Sequence, residues 1–291
     1  MSLKGFLCTA VAVVVPAGLV AGCGGSSSEK SQSSQQKPPA KLAIDATGAK
    51  DEFKFTAPPK AQAGPAEITF TNNAKTEVDA QLVLAEGKRE DAEVVAMLET
   101  AMEGEAVASW FKAAGGVGSL KPGENGTVTQ DLKPGTYYVV GGDDAPKGPL
   151  TKFTVAPPMG SSGGQSKPPT APGKIVATDY AYSGENVKAG QPVEFRNEGK
   201  EWHHFLSAPI KGDATIDEVK KAFESEDEEA ARGVVDMENG FDTTVMDAGV
   251  SQVTTPDLKA GRYVFFCFVS DRGGGPPHVA KGMVSEITVT E

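Results

Sequence analysis

"DLKAGRYVFF", residues 257–266, repeats "DLKPGTYYVV", residues 131–140, at an offset of 126. Each block is a Gly-containing turn followed by aromatic and β-branched residues, the composition of a strand buried in a sheet. Upstream, "PAEITFTNNAKTE" (65–77) is similar to "PVEFRNEGKE" (192–201), a strand that runs into an Asn-bearing turn. Downstream, "KGPLTKFTV" (147–155) matches "KGMVSEITV" (281–289) at an offset of 134, so the second copy carries eight extra residues between its last two blocks. Two copies of one unit account for the pattern, and a chain of 291 residues is long enough for both.

Each copy reads as short strands punctuated by Gly, Pro and Asn, so the expected class is all-β: two tandem sandwiches, spanning residues 42–156 and 174–291. Each carries one helical insert. In the second copy, Thr215 and Glu218 form a capping box ahead of Val219, Ala222 and Phe223 at helical spacing; in the first, Glu93 to Phe111 is the counterpart. The acidic run 224–229, "ESEDEE", reads as a solvated helix face. Between the copies, residues 157–173 are a Pro/Gly/Ser linker of about 20–25 Å, which leaves the domains free to sit together or swing apart.

The N-terminus sets the expected compartment. Residues 1–22 place Lys4 before an apolar run from Phe6 to Val20, the pattern of a secretory signal peptide. "LVAGC" resembles the lipobox of bacterial lipoproteins, which implies cleavage before Cys23, lipid on its sulfur, and a membrane-anchored extracytoplasmic protein. Residues 23–41 then form a disordered tether. Losing residues 1–22 removes one Lys and no acid, so the net charge of −11 becomes −12, and nucleic acid is not an expected partner. Cys8 leaves with the leader and Cys23 is lipidated, so Cys267 is the remaining thiol and needs an occupant or a burial site.

All three histidines, His203, His204 and His278, lie in the second copy, with Cys267 and Met283. Singly, Cys267 is a small buried hydrophobe, Met283 a core residue and His278 a surface loop residue. Their joint order points elsewhere: thiolate and thioether are soft donors, imidazole is intermediate, and two His, one Cys and a weak Met suit both oxidation states of copper. This order resembles the cupredoxin, or type 1 blue copper, family: a His after an Asn-Gly turn, a Cys ending a late strand, a loop, a second His and a Met opening the last strand.

The resemblance implies tandem cupredoxin-like Greek-key sandwiches and one copper ion held by His203, Cys267, His278 and Met283. Adjacent residues of a strand face opposite sides, so His204 is the alternative to His203. In the first copy the counterparts are Asp79, Gly141, Asp144 and Pro149, so that domain is expected to be metal-free. One departure is the ten-residue interval "FVSDRGGGPP" before His278, whose Gly273–Gly275 predict a loose loop and an exposed site better suited to copper handling than to electron transfer.

The expected function is copper binding for electron transfer or copper handling, with an extracytoplasmic redox or copper-handling protein as partner. Catalysis is not expected, because three histidines cannot build the extra centres of multicopper oxidases or nitrite reductases, and position 271 is Asp where a binuclear centre needs Cys. The competing reading is a metal-free interaction lipoprotein of two cupredoxin-like sandwiches whose 267–278 loop is a recognition surface.

Overall fold

Alternation fixes the strands. In "GPAEITFTN", Ala66, Ile68, Phe70 and Asn72 are buried while the residues between them are partly exposed, the two-residue period of a sheet packed on one face. The structure, a computed structural model, describes residues 38–49, 52–142, 150–157, 169–225 and 227–291. The leader, the lipidation site Cys23 and most of the tether lie outside the described residues, as does 158–168 of the linker. The first strand begins at Ala40, so Ala40 and Lys41 belong to the sheet and not to the tether expected to reach residue 41.

The first half contains β1 (Ala40–Thr47), β2 (Lys54–Thr56), β3 (Lys60–Gln62), β4 (Gly64–Asn72), β5 (Val78–Ala85), β6 (Phe111–Leu120), β7 (Asn125–Leu132), β8 (Gly135–Val140) and β9 (Thr151–Ala156). The second contains β10 (Gly173–Thr178), β11 (Ala181–Glu185), β12 (Val193–Asn197), β13 (Leu206–Pro209), β14 (Ser251–Thr254), β15 (Gly261–Phe266) and β16 (Val284–Val289). Helix α1 (Asp91–Met102) lies between β5 and β6, and α2 (Ile216–Glu224) and α3 (Glu228–Val234) follow β13. Thr215 and Glu218 make the predicted capping box of α2. The insert of the first half is shorter than expected: Gly104 at φ +70° follows the C-cap Glu103, and Phe111 already belongs to β6. The acidic run straddles the break between α2 and α3.

The fold is thus all-β, with two cupredoxin-like sandwiches. One sheet runs through both in the order β11-β10-β12-β14-β7-β4-β1-β2; the other layers are β3-β9-β8-β5-β6 and β13-β15-β16. The duplication is legible atom by atom. Asn72 Nδ2 donates to the carbonyls of Thr76 and Leu120, and Asn197 Nδ2 donates to those of Glu201 and Met246. Tyr137 and Tyr263 each accept a hydrogen bond from the backbone N–H four residues earlier, at Lys133 and Lys259.

The halves do not swing apart. Their equivalent edge strands β7 and β14 pair antiparallel, with Gln130 opposite Gln252, as the two copies of an isologous dimer would. Residues 242–247 also lie along β6. Ala113 N–H donates to Asp247 Oδ2 (3.0 Å), Asp247 N–H to Ala113 O (2.8 Å), and Gly115 N–H to Val245 O (3.2 Å). The Gln81 side chain donates to Val245 O and accepts from Val245 N–H (2.7 Å). Among the described residues no helix is long and apolar enough to cross a membrane.

Candidate metal centre

Three separate elements carry the donors. His203 follows the turn fixed by Asn197 and forms an antiparallel bridge with Met246, through N–H to O at 3.0 Å and O to N–H at 2.8 Å. Cys267 directly follows β15, whose aromatic run "YVFF" is fully buried. His278 opens a single 3-10 turn, His278–Lys281, whose C-cap Gly282 lies at φ +85° and hands the chain to Met283 and β16.

These elements bring His203 Nδ1, Cys267 Sγ and His278 Nδ1 together. The nitrogens are 3.0 Å apart, and the sulfur is 3.4 Å from His278 Nδ1 and 3.9 Å from His203 Nδ1. All three residues are completely buried. Among the described residues they form the one group of three or more His, Cys, Asp or Glu whose ligand atoms lie within 4.8 Å of each other. Met283 is also fully buried, in the same apolar cluster as Cys267, Phe265 and Met246.

The far edge of each ring is held by a carboxylate. His203 Nε2 meets Asp179 Oδ1 at 2.9 Å, and His278 Nε2 meets Asp271 Oδ1 at 3.0 Å. With Nε2–H donating outward, both Nδ1 lone pairs face inward, the tautomer that a carboxylate partner selects. Asp271 is itself fixed by Lys281 Nζ and by the Tyr180 hydroxyl (2.8 Å), and Asp179 by the N–H groups of Lys200 (2.8 Å) and Glu201 (3.3 Å). Burial by itself would raise both acids, but these donors outweigh it and keep them below the usual carboxylate range.

Two inward lone pairs and a thiol share at most one proton, so the pocket is built for a cation. Burial lowers His278 to about 4, helped by the neighbouring His203 ring, and burial also lowers His203. Both rings are therefore neutral ligands at neutral pH. Burial pushes the Cys267 thiol up to about 11, opposed by hydrogen bonds from the backbone of His204 and Val269 and from Tyr182. A cation bound there displaces the thiol proton and is left with a thiolate. Donors about 2.0–2.3 Å from a common centre in a trigonal plane stand about 3.5–3.7 Å apart. The edges of the observed triangle, 3.0, 3.4 and 3.9 Å, bracket that spacing. Donor chemistry and geometry together fit a single type 1 copper ion.

His204 faces away from this cluster: its Nε2 accepts from Phe268 N–H at 2.8 Å, and burial followed by repulsion from the two other histidines lowers it to about 3. The predicted looseness of the 268–277 loop is corrected. Val107 N–H donates to Arg272 O (2.9 Å) and Gly275 N–H to Gly104 O (3.2 Å), which fastens the loop to the first half. Nor is the site exposed, since none of its three donors is solvent-accessible. Sequence reasoning missed the roles of Asp179, Asp271 and Tyr180; only Asp271, between Cys267 and His278, lies near the ligands along the chain.

At the equivalent place in the first half there is no room. A Cβ at Gly141, the counterpart of Cys267, would stand 2.2 Å from Asp79 O and 2.9 Å from the Phe55 ring. Asp79, the expected counterpart of His203, accepts from Gly142 N–H (2.9 Å), but the register puts Val78 at the place of His203, since Val78 pairs with Leu120 as His203 pairs with Met246. Asp144 and Pro149 lie outside the described residues.

No protein-family model and no curated protein matches the chain. Among solved structures it is similar to auracyanin from the photosynthetic bacterium Roseiflexus castenholzii, at 24% identity over 40% of this chain and 95% of that one, with a TM-score of 0.24. Copper nitrite reductase from Nitrosomonas europaea matches 87% of this chain and 95% of its own at 13% identity and a TM-score of 0.24. A multicopper oxidase matches 86% and 88% at 14% identity and a TM-score of 0.21. Likeness at these levels concerns the fold and says nothing about activity. The expectation that the chain is not an enzyme is corrected to this extent: the fold does not exclude catalysis, since a copper nitrite reductase and a multicopper oxidase stand among the solved structures similar to it.

Proposed function

We propose that this is a membrane-tethered extracytoplasmic copper protein, whose second half holds one copper ion through His203, Cys267, His278 and Met283 and passes electrons to or from an extracytoplasmic redox protein. The observation that carries the copper assignment is the convergence of two inward imidazole nitrogens and one buried thiol within 4.8 Å. Copper at this place supplies a one-electron couple. The chain supplies a pocket that changes little with oxidation state: Asp179 and Asp271 fix the rings, and burial excludes water and competing ligands.

Electron transfer is favoured over release of copper as cargo by the same burial, since cargo needs an open path and ligands that move. The tether is supported by Lys4, the apolar run to Val20 and the "LVAGC" sequence ahead of the Ser-rich residues 24–34. Copper(II) added to the purified protein is expected to give an intense visible sulfur-to-copper band, abolished in Cys267→Ser. A colourless wild-type protein would refute the assignment. Metabolic labelling with a fatty acid, lost in Cys23→Ser, tests the anchor separately.

A further inference from the structure

We propose that the N-terminal half is the positioning scaffold of the metal centre, with Arg272 fixing the Cys267–His278 loop and Trp202 fixing the His203 segment; this rests on the copper reading above. Both residues belong to the second half and are seated in the first. Trp202, next to His203, is almost fully buried in a cluster made of Val83, Val94, Leu98, Phe111 and Tyr138. Its ring meets Phe111 edge-on at 6.5 Å. The corresponding residue of the first half is Glu77, since Val78 pairs with Leu120 as His203 pairs with Met246, and Glu77 is exposed. An indole placed in another half's core buries enough surface to hold its neighbour.

Arg272 lies in the loop that joins Cys267 to His278. Its guanidinium donates to both oxygens of Asp247 (2.9 and 3.1 Å) and to the carbonyls of Ala108 (2.9 Å) and Phe111 (2.7 Å), and lies 5.0 Å from the centre of the Trp202 ring. Asp247 in turn accepts from Ala113 N–H, so one fork ties the loop to β6 twice. Arg272 N–H donates to Glu201 Oε2 (2.6 Å) and Trp202 Nε1 to Ser270 O (2.5 Å), which ties the loop to the His203 segment as well. The glycines that read as slack serve this contact. Gly274 sits at φ +81°, and a Cβ there would stand 3.1 Å from Ala106 N in the first half. Two of the three strong donors are thus registered against a half that contributes no ligand. Because metal geometry responds to small displacements of its donors, the first half sets the properties of the centre.

The test uses the full chain in both metal-free and copper-loaded forms. In the metal-free protein, the rate at which Cys267 reacts with a thiol reagent reads opening of the loop. Arg272→Met, which keeps the apolar stem, is expected to raise that rate at least tenfold and to move the visible band and reduction potential of the loaded form. Arg272→Lys restores the wild-type values only in part, because an ammonium cannot reproduce the fork. Thr254→Val removes an inter-half hydrogen bond on the shared sheet, from Thr254 Oγ1 to Thr127 O (2.8 Å), and is expected to leave both readouts unchanged even where it lowers Tm. Should Arg272→Met not fold, Asp247→Asn takes its place, with an expected threefold to tenfold rise in labelling. The proposal is overturned if the Arg272 variant labels and absorbs like wild type, or if Thr254→Val moves the readouts as far. A wild-type protein that takes up no copper would defeat the copper reading, while the labelling rates would still decide the scaffold.

Discussion

The two halves share one architecture and differ at one place. After β15 the chain presents Cys267 to two imidazoles; after β8 it presents Gly141, packed against Asp79 and the Phe55 ring. The strands that deliver these positions superpose in sequence without a gap, and the Asn72 and Asn197 turns make the same hydrogen bonds. A sandwich of this kind therefore does not require a metal for its core. In one half the space at the strand ends is filled by aromatic rings, and in the other it is shaped for an ion.

The largest effect is expected from removing a donor in the second half. His278→Ala takes away one Nδ1 and leaves Asp271 without its ring, and is expected to weaken copper binding by more than about 100-fold in a competition titration. Placing a donor in the first half is the converse. Gly141→Cys forces a Cβ to within 2.2 Å of a backbone oxygen, so it is expected to destabilise the protein by about 2–3 kcal/mol in chemical denaturation and to bind no second copper. Uptake of a second ion would break the contrast.

Smaller effects sharpen it. Asp271→Asn keeps all four proposed ligands but weakens the hold on the His278 ring, and is expected to cost about 10–100-fold in copper affinity. Proton release gives the smallest and most diagnostic effect. Both rings have lowered pKa values and are neutral from about pH 7 upward, while the thiol keeps its proton up to about 11, so copper(I) added without oxygen displaces one proton per ion. Apparent affinity then rises about tenfold per pH unit between about pH 7 and 9, and a slope near zero or two would contradict the assignment of the protonation states.

Much of this was legible in the sequence because it is local or ordered along the chain. The repeat "DLK-x-G" fixed strand positions, and the order of His203, Cys267, His278 and Met283 marked the centre. Strand alternation admits only one of His203 and His204, and counting from Asn197 through Gly199 as in the resembled family favours His203; His204 does face the other way. Asp179 and Asp271 were hidden among 39 acidic residues, where proximity in space has no signal in composition. The loop was misread for a related reason. Gly273–Gly275 read as slack when considered alone, whereas the contact that uses Gly274 involves Ala106, far away along the chain. Trp202 gave no warning either, since nothing local distinguishes an indole in its own core from one seated in a neighbour.

X-ray absorption at the copper edge of the loaded full-length protein, with the metal-to-protein ratio measured on the same sample, tests the central contrast most directly. One ion per chain, with two nitrogen donors and one short sulfur donor, is the predicted result. Two ions per chain, no stoichiometric copper, or a shell of nitrogen and oxygen without sulfur would contradict it.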